Sequence, residues 1–106
     1  KSAIESIDDL VSVDGVDAAL IGPYDLSISL GVPGEFDSPL LKKAIQKVVD
    51  ACEKHGVASG THVRDMDSLL FWRDRGMRLL AYSSDVGLIM SSASDAVSRI
   101  KAFSKA

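Results

Sequence analysis

A single cysteine, Cys52, occurs in the 106 residues, so no disulfide can close within the chain. That scarcity favours a reducing compartment, and the cytoplasm is the expected address. No apolar run approaches the roughly 20 residues of a membrane span, and no signal peptide is visible. A membrane is therefore not an expected partner. Basic residues number 12 against 15 acids, interleaved to a net charge of −3 without any basic stripe, which argues against nucleic acid. The two histidines, His55 and His62, have no second His or Cys at metal-ligand spacing. Ser83 and Ser84 lack the glycines of a nucleophile elbow, which disfavours a serine hydrolase. An initial Met is also missing. Lys1 leads almost at once into helical periodicity, which reads as a piece of a longer protein.

What is present is the balance of a soluble globular domain, 46% hydrophobic and 25% charged, long enough to bury a core. Ala3, Ile4, Ile7, Leu10 and Val11 follow helical spacing up to a turn at Asp14-Gly15. Asp17 to Gly22 reads as a short buried strand. Ser38-Pro39 supplies an N-cap and a Pro at the first helical position. Leu41, Ala44, Ile45, Val48, Val49 and Cys52 then form one apolar stripe that Gly56 closes. Val57 to Val63 is a second strand. Asp65 or Asp67 caps a helix that stops at Gly76, and Arg78 to Ser83 is a third strand. A last helix from about Val86 carries Ile89, Ala93, Ala96, Val97, Ile100 and Phe103 on one face.

This α-β-α-β-α-β-α order implies parallel strands joined by right-handed crossovers. A small doubly wound sheet and part of a (β/α)8 barrel both fit. In either, chemistry gathers at the C-terminal strand ends. Those ends are Gly22-Pro23-Tyr24-Asp25, Gly60 to Asp65, and Ser83-Ser84-Asp85, all polar and rich in small residues.

Asp25 is the sharpest question among them. It reads either as the N-cap of a helix begun by Leu26 or as a carboxylate held for a ligand, and its two oxygens allow both. Gly22 and Pro23 shape the turn and let a ligand approach the backbone. The amides of Tyr24, Asp25 and Leu26 would suit a small anion. His62 reads as a hydrogen-bonded loop histidine, with metal ligation or general-base work as the alternatives. His55, in a last helical turn, and Cys52, in the apolar stripe, read as structural. Arg64 reads as a solvated loop residue and Asp85 as a helix cap. Phe71 and Trp72 read as packing against a neighbouring helix or subunit.

The strings "VDGVDAALIGPYDLSISLGVPGE", "GVASGTHV" and "LLAYSSDVGLI" together resemble the HpcH/HpaI aldolase/citrate lyase family of (β/α)8 enzymes. The pattern V-x-G-V-D-x-x-x-I-G-P-x-D-L-S-x-S-L-G is the specific part. The resemblance implies that residues 1–106 are a single partial domain, barrel strands six to eight with their helices. It implies a lyase, a class II aldolase that makes or breaks 2-keto-3-deoxy and 4-hydroxy-2-oxo acids. Pyruvate and an aldehyde would be its small-molecule partners. Asp25 then falls on the family's metal-ligand position, for Mg²⁺, Mn²⁺ or Co²⁺, with Gly22, Pro23, Tyr24 and Asp25 forming the substrate-binding turn. The metal would chelate the keto acid and stabilise the enolate. The backbone at Tyr24 and Asp25 would receive the pyruvate carboxylate.

Two departures accompany the likeness. Tyr24 stands where most relatives have Ala or Ser. The family's second metal ligand (a Glu), its proton-shuttling His and its keto-binding Arg would all fall before Lys1, so no catalytic residue is retained and the chain is not expected to work alone. An exposed sheet edge and inner face would call for a partner, another copy or the missing half, and a homo-oligomer is expected. The alternatives are a citramalyl- or malyl-CoA lyase-like relative and a non-catalytic α/β half-barrel module.

Overall fold

The computed structural model describes residues 2–104. Lys1, from which the longer-protein expectation starts, lies outside them, as do Lys105 and Ala106. The opening helical segment forms as two pieces, α1 (Ser2–Glu5) and α2 (Ile7–Val11), because Ser6 leaves helical geometry between them (φ −101°, ψ 22°). After the turn come β1 (Ala18–Ile21), α3 (Pro23–Ser29) and α4 (Pro39–His55). Then follow β2 (Ala58–Val63), α5 (Met66–Arg73), β3 (Leu79–Tyr82) and α6 (Asp85–Ser104). The short α3 is an addition to the expected alternation.

Helix α4 forms where its signals place it. Pro39 occupies the first helical position behind Ser38, whose carbonyl accepts from Lys42 N at 3.0 Å, although its hydroxyl makes no cap bond. At the other end Gly56 adopts φ 72°, a left-handed conformation that side-chain-bearing residues resist, and the helix stops there. Between these ends the stripe is dry: Leu41 and Cys52 are 0% exposed, with Ile45, Val48 and Val49 scarcely more. Ile7 and Val11 of α2, Ile21 of β1, Val63 of β2, Trp72 of α5 and Met77 complete the same cluster.

The three strands are parallel and lie in chain order β1-β2-β3. Ile21 is opposite Thr61, and His62 is opposite Ala81. Ile21, Thr61 and Val63 are buried on the side of α4. Thr61 Oγ1 donates to the Ile21 carbonyl at 3.2 Å, so this buried hydroxyl is satisfied. The opposite face is open: Leu20 is 62% exposed and Leu79 is also exposed. A doubly wound sheet would carry helices on both faces, whereas α4 and α5 share one core on one face.

Helix α6 has its apolar residues where the periodicity puts them, yet none of its residues is buried and Phe103 is 88% exposed. Among the described residues no helix is long and apolar enough to cross a membrane.

Burial of the α4 stripe sets a test. In the protein that carries this chain, Leu41→Ala is expected to cost about 2–5 kcal/mol. Val48→Asp places an unpaired charge in the stripe and is expected to cost about 3–5 kcal/mol. Thermal or urea melts that leave either variant as stable as the parent would mean that α4 does not cover the sheet.

Candidate active site

Each strand leads into its helix through a polar turn, and the first turn differs from expectation in one respect. Gly22, extended at φ −86° and ψ 100°, is the N-cap of α3, and Pro23 is its first helical residue. Leu26 N donates to the Gly22 carbonyl at 3.0 Å, closing the first helical bond. Asp25 therefore sits inside the first turn and is not the cap. The cause is local: a residue before proline prefers extended geometry, and proline's fixed φ suits the first helical position.

This start also frees the Asp25 carboxylate. It is exposed, and its charge faces the positive end of the helix. A Cβ on Gly22 would stand 3.0 Å from Asp25 Oδ2, so the bare glycine gives that oxygen its room. Pro23 has no N–H to offer, which leaves Tyr24 and Asp25 with the unpaired amides of the first turn. A shallow cavity of about 320 Å³ lies alongside, bounded by Leu20, Ile21, Gly22 and Asp25 with Ile4 and Ile7. A larger hollow of about 690 Å³ between α1 and α4 contains none of the expected site residues.

Tyr24 is held by a residue that sequence reasoning passed over. Ser27 is fully buried; its hydroxyl donates to the Tyr24 carbonyl at 2.6 Å and accepts from Gly34 N at 2.9 Å. Val32 N donates to the Ser27 carbonyl at 2.9 Å. These bonds fold segment 31–38 back over α3 and set Phe36 beside Tyr24, ring centroids 6.5 Å apart. Nothing in "DLSIS" distinguishes Ser27 from an exposed helical serine except its position among apolar neighbours.

His62 lies in β2, within the strand expected over 57–63, and makes the hydrogen bond expected of it: its Nε2 lies 2.6 Å from the Ser83 carbonyl. The third turn brings a correction. Ser83 has φ 53°, the one positive value at a non-glycine among the described residues. Asp85 was expected to cap α6, but Ser84 does so: its hydroxyl accepts from Gly87 N at 3.1 Å and its carbonyl from Leu88 N at 2.8 Å. Asp85 is the first helical residue and accepts from its neighbour Val86 N at 2.8 Å. Of the pair Asp65 and Asp67, Asp65 is the cap of α5, accepting from Ser68 N at 2.7 Å. That bond holds its carboxyl below the usual carboxylate range.

The remaining candidates are structural. Arg64 is exposed. Trp72 is buried in the core with Phe71 edge-on to it, and Arg75 stacks 3.4 Å from the Phe71 ring centroid. His55 and Lys54 both meet Asp8, at 3.2 and 2.8 Å, and Lys54 first and His55 second lower the Asp8 carboxyl. Burial pushes the Cys52 thiol up, as befits a core residue.

Gly22 follows Ile21 as His62 follows Thr61, and those two are partners. The turn carrying Asp25 and the side chain of His62 therefore occupy the same end of the sheet. Among the described residues, no three His, Cys, Asp or Glu side chains are grouped to hold a metal. Asp25 is a hard oxygen donor of the kind Mg²⁺ and Mn²⁺ prefer, so its chemistry fits that of one ligand to such an ion.

The family model for HpcH/HpaI aldolase/citrate lyase matches residues 1–92. This chain belongs to that family. Among its relatives, the hydroxypyruvate/pyruvate aldolase of Sagittula stellata is 36% identical over 93 residues, 88% of this chain and 37% of that protein. The 5-keto-4-deoxy-D-glucarate aldolase of Klebsiella pneumoniae is 30% identical over 94 residues, 86% of this chain and 36% of that protein. A crystal structure of an HpcH/HpaI aldolase from Desulfitobacterium hafniense superposes with a TM-score of 0.84 at 34% identity, covering 93% of this chain and 39% of that one. The chain thus spans well under two-thirds of these HpcH/HpaI proteins.

The cap of α5 carries a pH test in this HpcH/HpaI chain. Asp65→Ala is expected to cost about 1 kcal/mol and Asp65→Asn much less. Because the folded carboxyl is lowered, its stabilisation is complete above the ordinary value of 3.8 and disappears as pH falls through the lowered one. The gap in melting temperature between parent and Asp65→Ala should narrow in strong acid towards the gap that separates Asp65→Asn from Asp65→Ala. A gap as wide in strong acid as at neutral pH would assign the loss to something other than the charge of the cap.

Proposed function

We propose that the protein carrying this chain is a divalent-metal-dependent aldolase of 2-keto-3-deoxy or 4-hydroxy-2-oxo acids, with pyruvate as product or donor. The chain is read as the C-terminal sector of a (β/α)8 barrel, strands six to eight. Its one-directional parallel sheet, covered by helices on a single face, supports that reading. The observation that carries the function is the placement of Asp25: exposed, in the first turn of α3, at the C-terminal end of β1, over a glycine without a side chain. The aldolase names of its relatives point the same way.

In this mechanism Asp25 holds the metal through a carboxylate oxygen. A bound Mg²⁺ or Mn²⁺ supplies Lewis acidity for cleavage or formation of the C3–C4 bond. The amides of Tyr24 and Asp25 receive the keto acid's carboxylate, and Gly22 and Pro23 keep that approach clear. Tyr24, braced by Phe36, forms one wall and restricts what fits beside the turn. The uncovered apolar face of α6 supports assembly with a further copy. The lone reduced thiol supports a cytoplasmic address.

Asp25→Asn is expected to weaken Mn²⁺ binding and turnover by at least about a hundredfold, since loss of a mere supporting group already costs about 10–100-fold. Its melting temperature should stay near the parent's, because Gly22 caps α3 and Asp25 does not. Calorimetric titration with Mn²⁺ and a melt decide the matter; near-parental metal affinity would remove Asp25 from the site. The 106 residues expressed alone are expected to release no pyruvate from 4-hydroxy-2-oxo acids in a lactate dehydrogenase-coupled assay. Metal-dependent turnover by them would show that the chain holds a complete site.

A further inference from the structure

His62 stands on the open face of the sheet, exposed between two buried neighbours, Thr61 and Val63. Its strand partner is Ala81, and on the other side Gly22 continues β1 at the same level. The last row of this face therefore reads Gly22, His62, Ala81: one large polar side chain flanked by residues with almost none. One row below, Leu20 and Leu79 close over Gly60, where an added Cβ would meet Leu20 Cδ1 at 3.1 Å and collide with Leu79. The face thus has an apolar floor, with His62 rising from it between two gaps, on the same end as the Asp25 turn.

The ring is also fixed. A carbonyl can only accept, so the 2.6 Å contact with Ser83 requires the proton on His62 Nε2. In the neutral ring Nδ1 is then left as an acceptor. The carbonyl is aimed by the left-handed Ser83, whose hydroxyl would be struck, 2.5 Å away, by any Cβ at Gly87. A side chain that merely filled space would not need this tether.

We infer that His62 is a specificity-determining residue, whose Nδ1 accepts a hydrogen bond from a hydroxyl group on the acceptor end of the substrate. This rests on the aldolase reading. The carboxylate end lies at the Tyr24 and Asp25 amides, so the end reaching across the row over Gly22 is the one that meets His62. Acceptor aldehydes bearing a hydroxyl beside the carbonyl would be preferred over their deoxy counterparts.

The test uses the metal-loaded protein that carries this chain, with pyruvate as donor and glycolaldehyde or acetaldehyde as acceptor. The parent is expected to favour glycolaldehyde in kcat/KM. His62→Leu should reduce that preference about tenfold, the scale of one lost hydrogen bond. The KM for pyruvate and the Mn²⁺ affinity should not change. His62→Asn sets an amide oxygen near the place of Nδ1 without the Ser83 tether, and should restore part of the preference. An unaltered acceptor ratio in His62→Leu, or equal losses with both acceptors, overturns the role of His62 while leaving the aldolase reading intact. A parent inactive with both acceptors overturns that reading and this inference with it.

Discussion

Leu41, Ile45, Val48, Val49 and Cys52 form a stripe along α4 that water does not reach, and β1 and β2 lie side by side against it. Their register depends on that contact. A slip of one residue would turn Ile21 and Thr61 outward and send Leu20 and His62 into the core, replacing a small hydroxyl satisfied at the Ile21 carbonyl by a bulky imidazole. With the register held, Gly22 and His62 arrive at the same height, and the turn bearing Asp25 opens beside them. The chemistry of the upper end is thus positioned by packing on the far side of the sheet.

The elements that depend on local signals were legible. Helix α4 was readable from Ser38-Pro39, the apolar stripe and Gly56, because each acts within a few residues of itself. The three strands and their polar ends were readable for the same reason. The start of α3 was not, since Gly22-Pro23 serves equally well as a turn or as a cap with its first helical residue. Ser84 and Asp85 are both good caps, and only the carbonyl that receives the first helical bond decides between them. That the His62 ring meets the Ser83 carbonyl rests on the pairing of β2 with β3, a contact made across 20 or so residues of intervening chain. The face of α6 was visible as a pattern, but what a pattern packs against is written elsewhere.

Within the candidate site, Asp25 and Tyr24 are prepared by different means. Asp25 owes its freedom to two residues that contribute nothing but backbone, a bare glycine and a proline without an N–H. Tyr24 is instead constrained by a buried serine that ties its carbonyl to a following loop. An adjacent pair thus combines an unobstructed anion with an anchored backbone carbonyl.

The fully enclosed Cys52 has a practical meaning. Its sulfur sits at the C-terminal end of the α4 stripe, and burial pushes its proton affinity up, so the folded protein offers oxidants and alkylating reagents almost no thiolate. Since no other cysteine is present in these 106 residues, alkylation of a thiol on the chain records a moment when Cys52 has left the core. Where alkylation outpaces reclosing, the rate at which the thiol is consumed is the rate at which the core opens.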